Sequence, residues 1–229
     1  MDSNSSKLQE KIGISFKIQA LLNEALTHRS YLNENPRWPY PHNERLEFLG
    51  DAVLELAVTE FLYAKYPKEP EGWLTSLRAA LVNYQMLARV AKEIDLEQSI
   101  FLSRGEAKDN GKAREVILAN AFESLIGAIY LDQGYEVSAD FIKKFVFIHL
   151  ETVLEQGLYK DSKSKLQEVV QEKLKITPAY KVLTEIGPDH QKIFKIGVYF
   201  GDKLIAEGEG ASKQEGEVEA AKSALQQLQ

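Results

Sequence analysis

The apolar residues of this chain recur mostly at helical spacing through residue 173, alternate between residues 180 and 207, and return to helical spacing in the last helix. In residues 7–33, Ile18, Leu21, Leu22, Ala25 and Leu26 keep the 3.6-residue period and predict a helix. Residues 33–42 hold three prolines and break it. Helix resumes at 43–56, where Leu46, Leu49, Val53 and Leu56 mark the buried side and Asn43 stands where an N-cap would. Met86, Leu87, Val90, Ala91 and Ile94 predict a packed helix within 83–97, and the polar stretch 103–112 predicts a loop. Residues 116–132 have the composition of a buried helix. Residues 135–157 read as amphipathic helix, with Phe141, Phe145 and Ile148 along one face.

After a short linker at 157–162, residues 163–173 read as helix, and strand-like runs follow at 180–186 and 192–200. In the second run Phe194, Ile196, Val198 and Phe200 alternate with Lys195, Gly197 and Tyr199, so one face is buried and one wet. Gly201-Asp202 fits a two-residue hairpin turn. A third strand at 203–207 and a helix at 212–228 complete the chain. The expected fold is mainly α, an all-helical domain at 1–157 followed by a small α-β-β-β-α domain at 158–229.

Two polar features stand out against this background. Glu44, Glu47 and Asp51 sit at i, i+3 and i+7, which places them within roughly a 60° arc of one helix face. Asn120 and Glu123, three apart, form a polar edge on an otherwise buried helix. Carboxylates aligned beside a buried face repel one another and lose solvation unless a cation sits among them. Hard divalent ions such as Mg²⁺ suit all-oxygen donors. Geometry alone allows a solvated acidic stripe equally well. His28 has no second histidine at ligand spacing, so a structural role is expected for it.

Composition narrows the chemistry further. The 229 residues include no cysteine, which excludes disulfides, thiolate metal sites and a cysteine nucleophile. The polar start of the chain has no signal-peptide core, and no apolar run approaches the ~20 residues that span a bilayer, so a cytoplasmic, membrane-free protein is expected. The net charge of −6 is unevenly spread: residues 158–229 hold 11 lysines and 11 acids, so the excess lies in residues 1–157. An acidic domain that gathers divalent ions can still meet a polyanion, with strong dependence on salt and Mg²⁺.

The segment Glu44-Arg-Leu-Glu-Phe-Leu-Gly-Asp51 resembles the signature helix of the ribonuclease III family, endonucleases that cut double-stranded RNA. Ala25-Leu-Thr-His-Arg-Ser-Tyr31 is similar to the segment before that helix, and Glu71-Gly-Trp-Leu-Thr-Ser-Leu-Arg78 to the start of the next one. The α-β-β-β-α order, with Gly208-Glu-Gly-Ala-Ser-Lys-Gln214, resembles a double-stranded-RNA-binding domain. The resemblance implies Mg²⁺-dependent hydrolysis of double-stranded RNA in RNA processing, with 5′-phosphate and 3′-hydroxyl products. It implies two Mg²⁺ per site, with Mn²⁺ able to substitute, held by Glu47, Asp51, Asn120 and Glu123 and supported by Glu44 and Glu71. The family pattern carries Asp where Asn120 stands and Ser where Val116 stands, which leaves a weakened or non-cleaving RNA-binding protein as the alternative. It also implies a homodimer with Phe48 packed into the partner. In the second domain Ser164, Gln167, Glu168 and His190 would face RNA minor grooves, and Ser212 and Lys213 the phosphates between, with no specificity for DNA. Gln214 replaces a usual lysine, and Gly216 stands where Ala is usual, at about 1 kcal/mol of helix propensity.

Overall fold

A computed structural model of the chain describes residues 3–108, 110–159, 162–187 and 192–228. Backbone contacts divide it into two compact units, Met1–Tyr159 and Lys160–Gln229. The first is helical: α1 (Ser3–Ile12), α2 (Gln19–Ala25), α3 (Arg29–Glu34), α4 (Glu44–Lys65), α5 (Glu71–Val82), α6 (Tyr84–Glu93), α7 (Lys112–Gln133), α8 (Tyr135–Phe145) and α9 (Leu150–Glu155), with 3₁₀ turns between some of them. The second runs α10 (Ser162–Leu174), β1 (Ala179–Ile186), β2 (Ile193–Phe200), β3 (Lys203–Gly210) and α11 (Lys213–Gln227). No helix among the described residues is long and apolar enough to cross a membrane.

The two 22-residue helices α4 and α7 form the most extensive helix pair of the first unit. Their approach is set by two glycines. A Cβ on Gly50 would lie 1.8 Å from the Glu123 carbonyl oxygen, and one on Gly127 would lie 2.3 Å from that of Leu46. Only hydrogen fits at either point. Leu54, Val58 and Leu62 of α4 and Leu118, Phe122, Leu125, Ile126 and Ile129 of α7 are fully or almost fully buried around this crossing. Each large side chain so buried contributes about 1.5–3 kcal/mol.

The expected single helix over 7–33 is three helices. Gly13 turns the chain at φ +77°, and the Asp132 carboxylate accepts the N–H groups of Lys17 and Ile18 at 2.9 and 2.7 Å, tying down the loop before α2. His28 then takes an extended conformation and caps α3, its Nδ1 accepting the Ser30 N–H at 3.3 Å. Its role is structural, and burial pushes its pKa down. Asn43 does not cap α4 with its side chain. That side chain is buried and donates to the Ala25 carbonyl at 3.3 Å, while the Asn43 carbonyl accepts the Glu47 N–H at 2.9 Å. The stretch 135–157 is also divided, because a 3₁₀ turn at Phe147–His149 swings Ile148 outward to 61% exposure while Phe141 stays buried.

The sheet of the second unit is antiparallel in the order β1-β2-β3, and the expected turn at Gly201-Asp202 is present, Gly201 at φ +62°. Leu166, Val170, Val198, Ala206, Ala220, Ala221 and Ala224 fill the core between its helices and sheet. β3 extends three residues past its expected end because α11 lies almost on its backbone. A Cβ on Gly208 would stand 2.1 Å from the Ala220 nitrogen, and one on Gly210 would stand 2.5 Å from the Gly216 nitrogen. Gly216 itself is buried with Ile196 Cγ1 2.6 Å from where its Cβ would be, so the helix propensity lost there is offset by close packing.

Candidate active site and nucleic-acid interface

The α4–α7 crossing determines which side chains meet. Glu123 lies one turn before Gly127, and its carbonyl packs on Gly50, so its side chain emerges beside the acidic stripe of α4. That stripe is longer than the three acids first apparent. Glu55, at i+11 from Glu44, returns to within about 20° of it on the same face. The Glu123 carboxyl is pushed up to about 8, first by burial and then by the charges of Asp51, Glu47 and Glu55. Glu47 is also raised, by burial and then by Glu44, with Asp51 adding to the effect. A hydrogen bond from the Asn120 side chain pulls it partly back. Asn120 therefore faces Glu47 with its amide donor.

The expected ligands Glu47, Asp51, Asn120 and Glu123 thus share one electrostatic neighbourhood. The flanking acids are drawn off by cations: Glu44 Oε1 lies 3.0 Å from Arg29 Nη1, and Glu55 Oε2 lies 2.8 Å from Arg78 Nε. Among the described residues no three acidic or histidine side chains are gathered as a ready-made ion clasp. Carboxylates that repel one another rest apart, and the raised Glu123 and Glu47 record how strongly they would gain from a cation. An all-oxygen donor set of this charge fits Mg²⁺.

Glu71 is not brought to this cluster. It opens α5, accepts the Thr75 hydroxyl at 2.9 Å and lines a cleft of about 430 Å³ with Thr59, Tyr63 and Arg78. Thr59 is eight residues beyond Asp51, about 12 Å along α4. Phe48 is 81% exposed, beside a hollow edged by Leu49 and the half-exposed Leu131.

In the second unit Ser164, Gln167 and Glu168 are exposed on one face of α10. Ser212 caps α11, its Oγ accepting the Glu215 N–H at 3.1 Å. Lys213 Nζ lies 5.7 Å from the centre of the Phe194 ring and 3.6 Å from Glu185 Oε1. His190 lies outside the described residues.

Comparison with known proteins identifies the family and the fold. A family model described as ribonuclease-III-like matches residues 19–150. The Ribonuclease 3 of Borreliella afzelii is 44% identical over 224 residues, covering 98% of this chain and 91% of that protein. The chain belongs to the ribonuclease III family. It is an endoribonuclease. The Ribonuclease 3 of Pelotomaculum thermopropionicum is 46% identical over 218 residues, 95% of this chain and 90% of its own length. The nuclease domain of ribonuclease III from Campylobacter jejuni superposes with a TM-score of 0.58 at 40% identity, covering 65% of this chain and 96% of that one. A double-stranded RNA binding motif matches residues 162–228.

Sequence reasoning missed four residues of these ribonuclease III surfaces. Glu55 was visible as the next acid on the α4 face. Arg78 and Glu185 gave no signal, because what matters is the partner each meets across the fold, whereas Glu215 was visible as the last residue of a Ser-x-x-Glu capping pattern opened by Ser212.

Proposed function

We propose that this chain hydrolyses double-stranded RNA with Mg²⁺ held by Glu47, Asp51, Asn120 and Glu123, two ions per site, leaving 5′-phosphate and 3′-hydroxyl ends. Mn²⁺ substitutes for Mg²⁺. The observation that carries this is Glu123, a carboxyl raised to about 8 by burial and by three facing acids in a ribonuclease III fold. The chemistry that the ions supply when bound is neutralisation of charge building on phosphate oxygens. The chain supplies the rest. Glu47, Asp51 and Glu123 present the charge that selects a hard cation, and the Asn120 side chain favours the charged form of Glu47. Glu44, paired with Arg29, supports the rim. Asn120 removes one charge while three carboxylates remain, which favours an active enzyme over a non-cleaving RNA-binding protein.

Residues 158–229 would carry duplex binding through Ser164, Gln167, Glu168, His190, Ser212 and Lys213. One acidic cluster faces one strand, so cutting both requires two copies of this chain. Exposed Phe48 beside a hollow of about 680 Å³ supports a homodimer, and in the Campylobacter jejuni nuclease domain a region is involved in dimer formation. RNA processing in the cytoplasm is the setting this activity implies. The test is a cleavage time course of the full chain on a long RNA duplex with Mg²⁺, alongside sedimentation. We expect paired cuts with 5′-phosphate ends, no cleavage of duplex DNA, and a dimer at micromolar concentration. An intact duplex after prolonged incubation would sink the assignment.

A further inference from the structure

The C-terminal unit has matched its cations with acids of its own, just where RNA is expected to bind. Glu185, near the end of β1, stands between two lysines: Lys213 Nζ at 3.6 Å and Lys192 Nζ at 3.8 Å. At the start of α11 the Glu215 carboxylate accepts the Ala211 N–H at 2.9 Å, while Ser212 Oγ accepts the Glu215 N–H. A phosphate arriving here would look for ammonium groups and for the N–H groups of a helix N-terminus. Both lysines, and the Ala211 N–H just before the helix, are already faced by a carboxylate. The balance of 11 lysines and 11 acids in residues 158–229 is the same fact seen at the level of composition.

We propose that Glu185 and Glu215 act as internal counter-anions that compete with nucleic-acid phosphate for Lys213, Lys192 and the α11 N-terminus. Their effect is to weaken the charge-driven binding common to all nucleic acids, leaving shape and 2′-hydroxyl contacts to decide what stays bound. The inference rests on the reading that this end of α11 meets phosphate.

Two effects of Glu185 oppose each other, and the geometry decides between them. A carboxylate can hold a lysine in place for RNA, or it can repel the RNA. Positioning is weak here, since 3.6 and 3.8 Å are longer than a good charged hydrogen bond. Lys213 has a second seat over the Phe194 ring, which stays when Glu185 loses its charge. Repulsion persists, because a phosphate bound to either lysine lies well within a Debye length of Glu185.

The test uses the full chain without divalent ions, so that nothing is cut. Glu185→Gln and Glu215→Gln are each measured against an RNA duplex and a DNA duplex of equal length over a range of salt. The amide of Glu215→Gln can still accept the Ala211 N–H, so α11 keeps its cap. We expect each variant to bind both duplexes roughly 2- to 5-fold more tightly at low salt, with a log–log salt slope steeper by up to about one unit. Unchanged or weaker binding by Glu185→Gln overturns the proposal in favour of a positioning role. A wild-type chain that binds RNA no better than DNA defeats the RNA reading, whereas the variant-to-wild-type ratio alone decides this inference.

Discussion

The two units build their surfaces by the same device and differ in what they do with the acids at the centre of each. In each, glycines let a helix lie on a neighbouring backbone: Gly50 and Gly127 where α4 crosses α7, and Gly208, Gly210 and Gly216 where α11 meets the sheet. In the helical unit the crossing presses Glu123 against Glu47, Asp51 and Glu55, and its carboxyl rises to about 8. In the C-terminal unit several acids are set against lysines, Glu185 with Lys213 and Lys192, Glu207 with Lys195, and Glu217 with Lys163. Solvent-exposed pairs of that kind add little to stability. The lesson is one of purpose. A carboxylate left facing carboxylates stores a cost that a bound cation can relieve, whereas one facing a lysine adjusts the charge of a surface.

The largest break in this comparison is Glu123→Gln. It removes the most perturbed acid, and cleavage of a long duplex should fall on the order of 10³-fold. Duplex binding in metal-free buffer should hold, since the RNA-binding surface lies in the other unit. Retained cleavage would place the metal site elsewhere.

A smaller effect appears in stability without metal. Glu123 would titrate near the ordinary 4.5 in the unfolded chain and near 8 in the folded one. Between those values the folded chain holds a proton that the unfolded chain has released, so raising the pH favours unfolding. The contribution of Glu123 is fully present below about 4.5 and lost as pH rises through 8. Melting of the first unit in chelator should therefore move to lower temperature from pH 5 to pH 8.5. Glu123→Gln should flatten that trend, and Mg²⁺ should reduce it in the wild-type chain. A wild-type melting temperature that rises across this range would contradict the buried, acid-facing environment of Glu123.

What could be read beforehand follows the same division. Helical period and alternation gave the element order and the mainly α class, because apolar side chains at those spacings have one way to be buried. The acids of α4 were legible from i, i+3 and i+7 alone. The breaks at Gly13 and His28 were not. One depends on Asp132, more than a hundred residues away, and the other on a hydrogen bond to Phe101. Asn43 resembled a cap and proved to be a buried tie to Ala25. Gly216 looked like a helix defect until Ile196 was seen against it. Propensity describes a residue in its own segment, and each of these is governed by a neighbour from another.

The smallest expected effect, and the finest probe of the acidic cluster, is Asn120→Asp. The amide of Asn120 donates to Glu47 and lowers its pKa, partly offsetting the push from burial and from Glu44. An aspartate there exchanges that donor for a fourth carboxylate. Without metal the exchange should lower stability above neutral pH, since Glu47 loses a hydrogen bond and gains a repulsive neighbour. With metal the sign reverses. Mg²⁺ affinity rises with ligand charge, so half-maximal cleavage should need several-fold less Mg²⁺, while the rate at saturating Mg²⁺ changes little. Mn²⁺, which such donors bind more tightly, should narrow the gap between the two proteins. Titrating cleavage against Mg²⁺ and melting temperature against pH reads both halves. If Asn120→Asp shifts neither the Mg²⁺ requirement nor the metal-free stability, position 120 stands outside the ion's reach and Glu47 is held by something other than its amide.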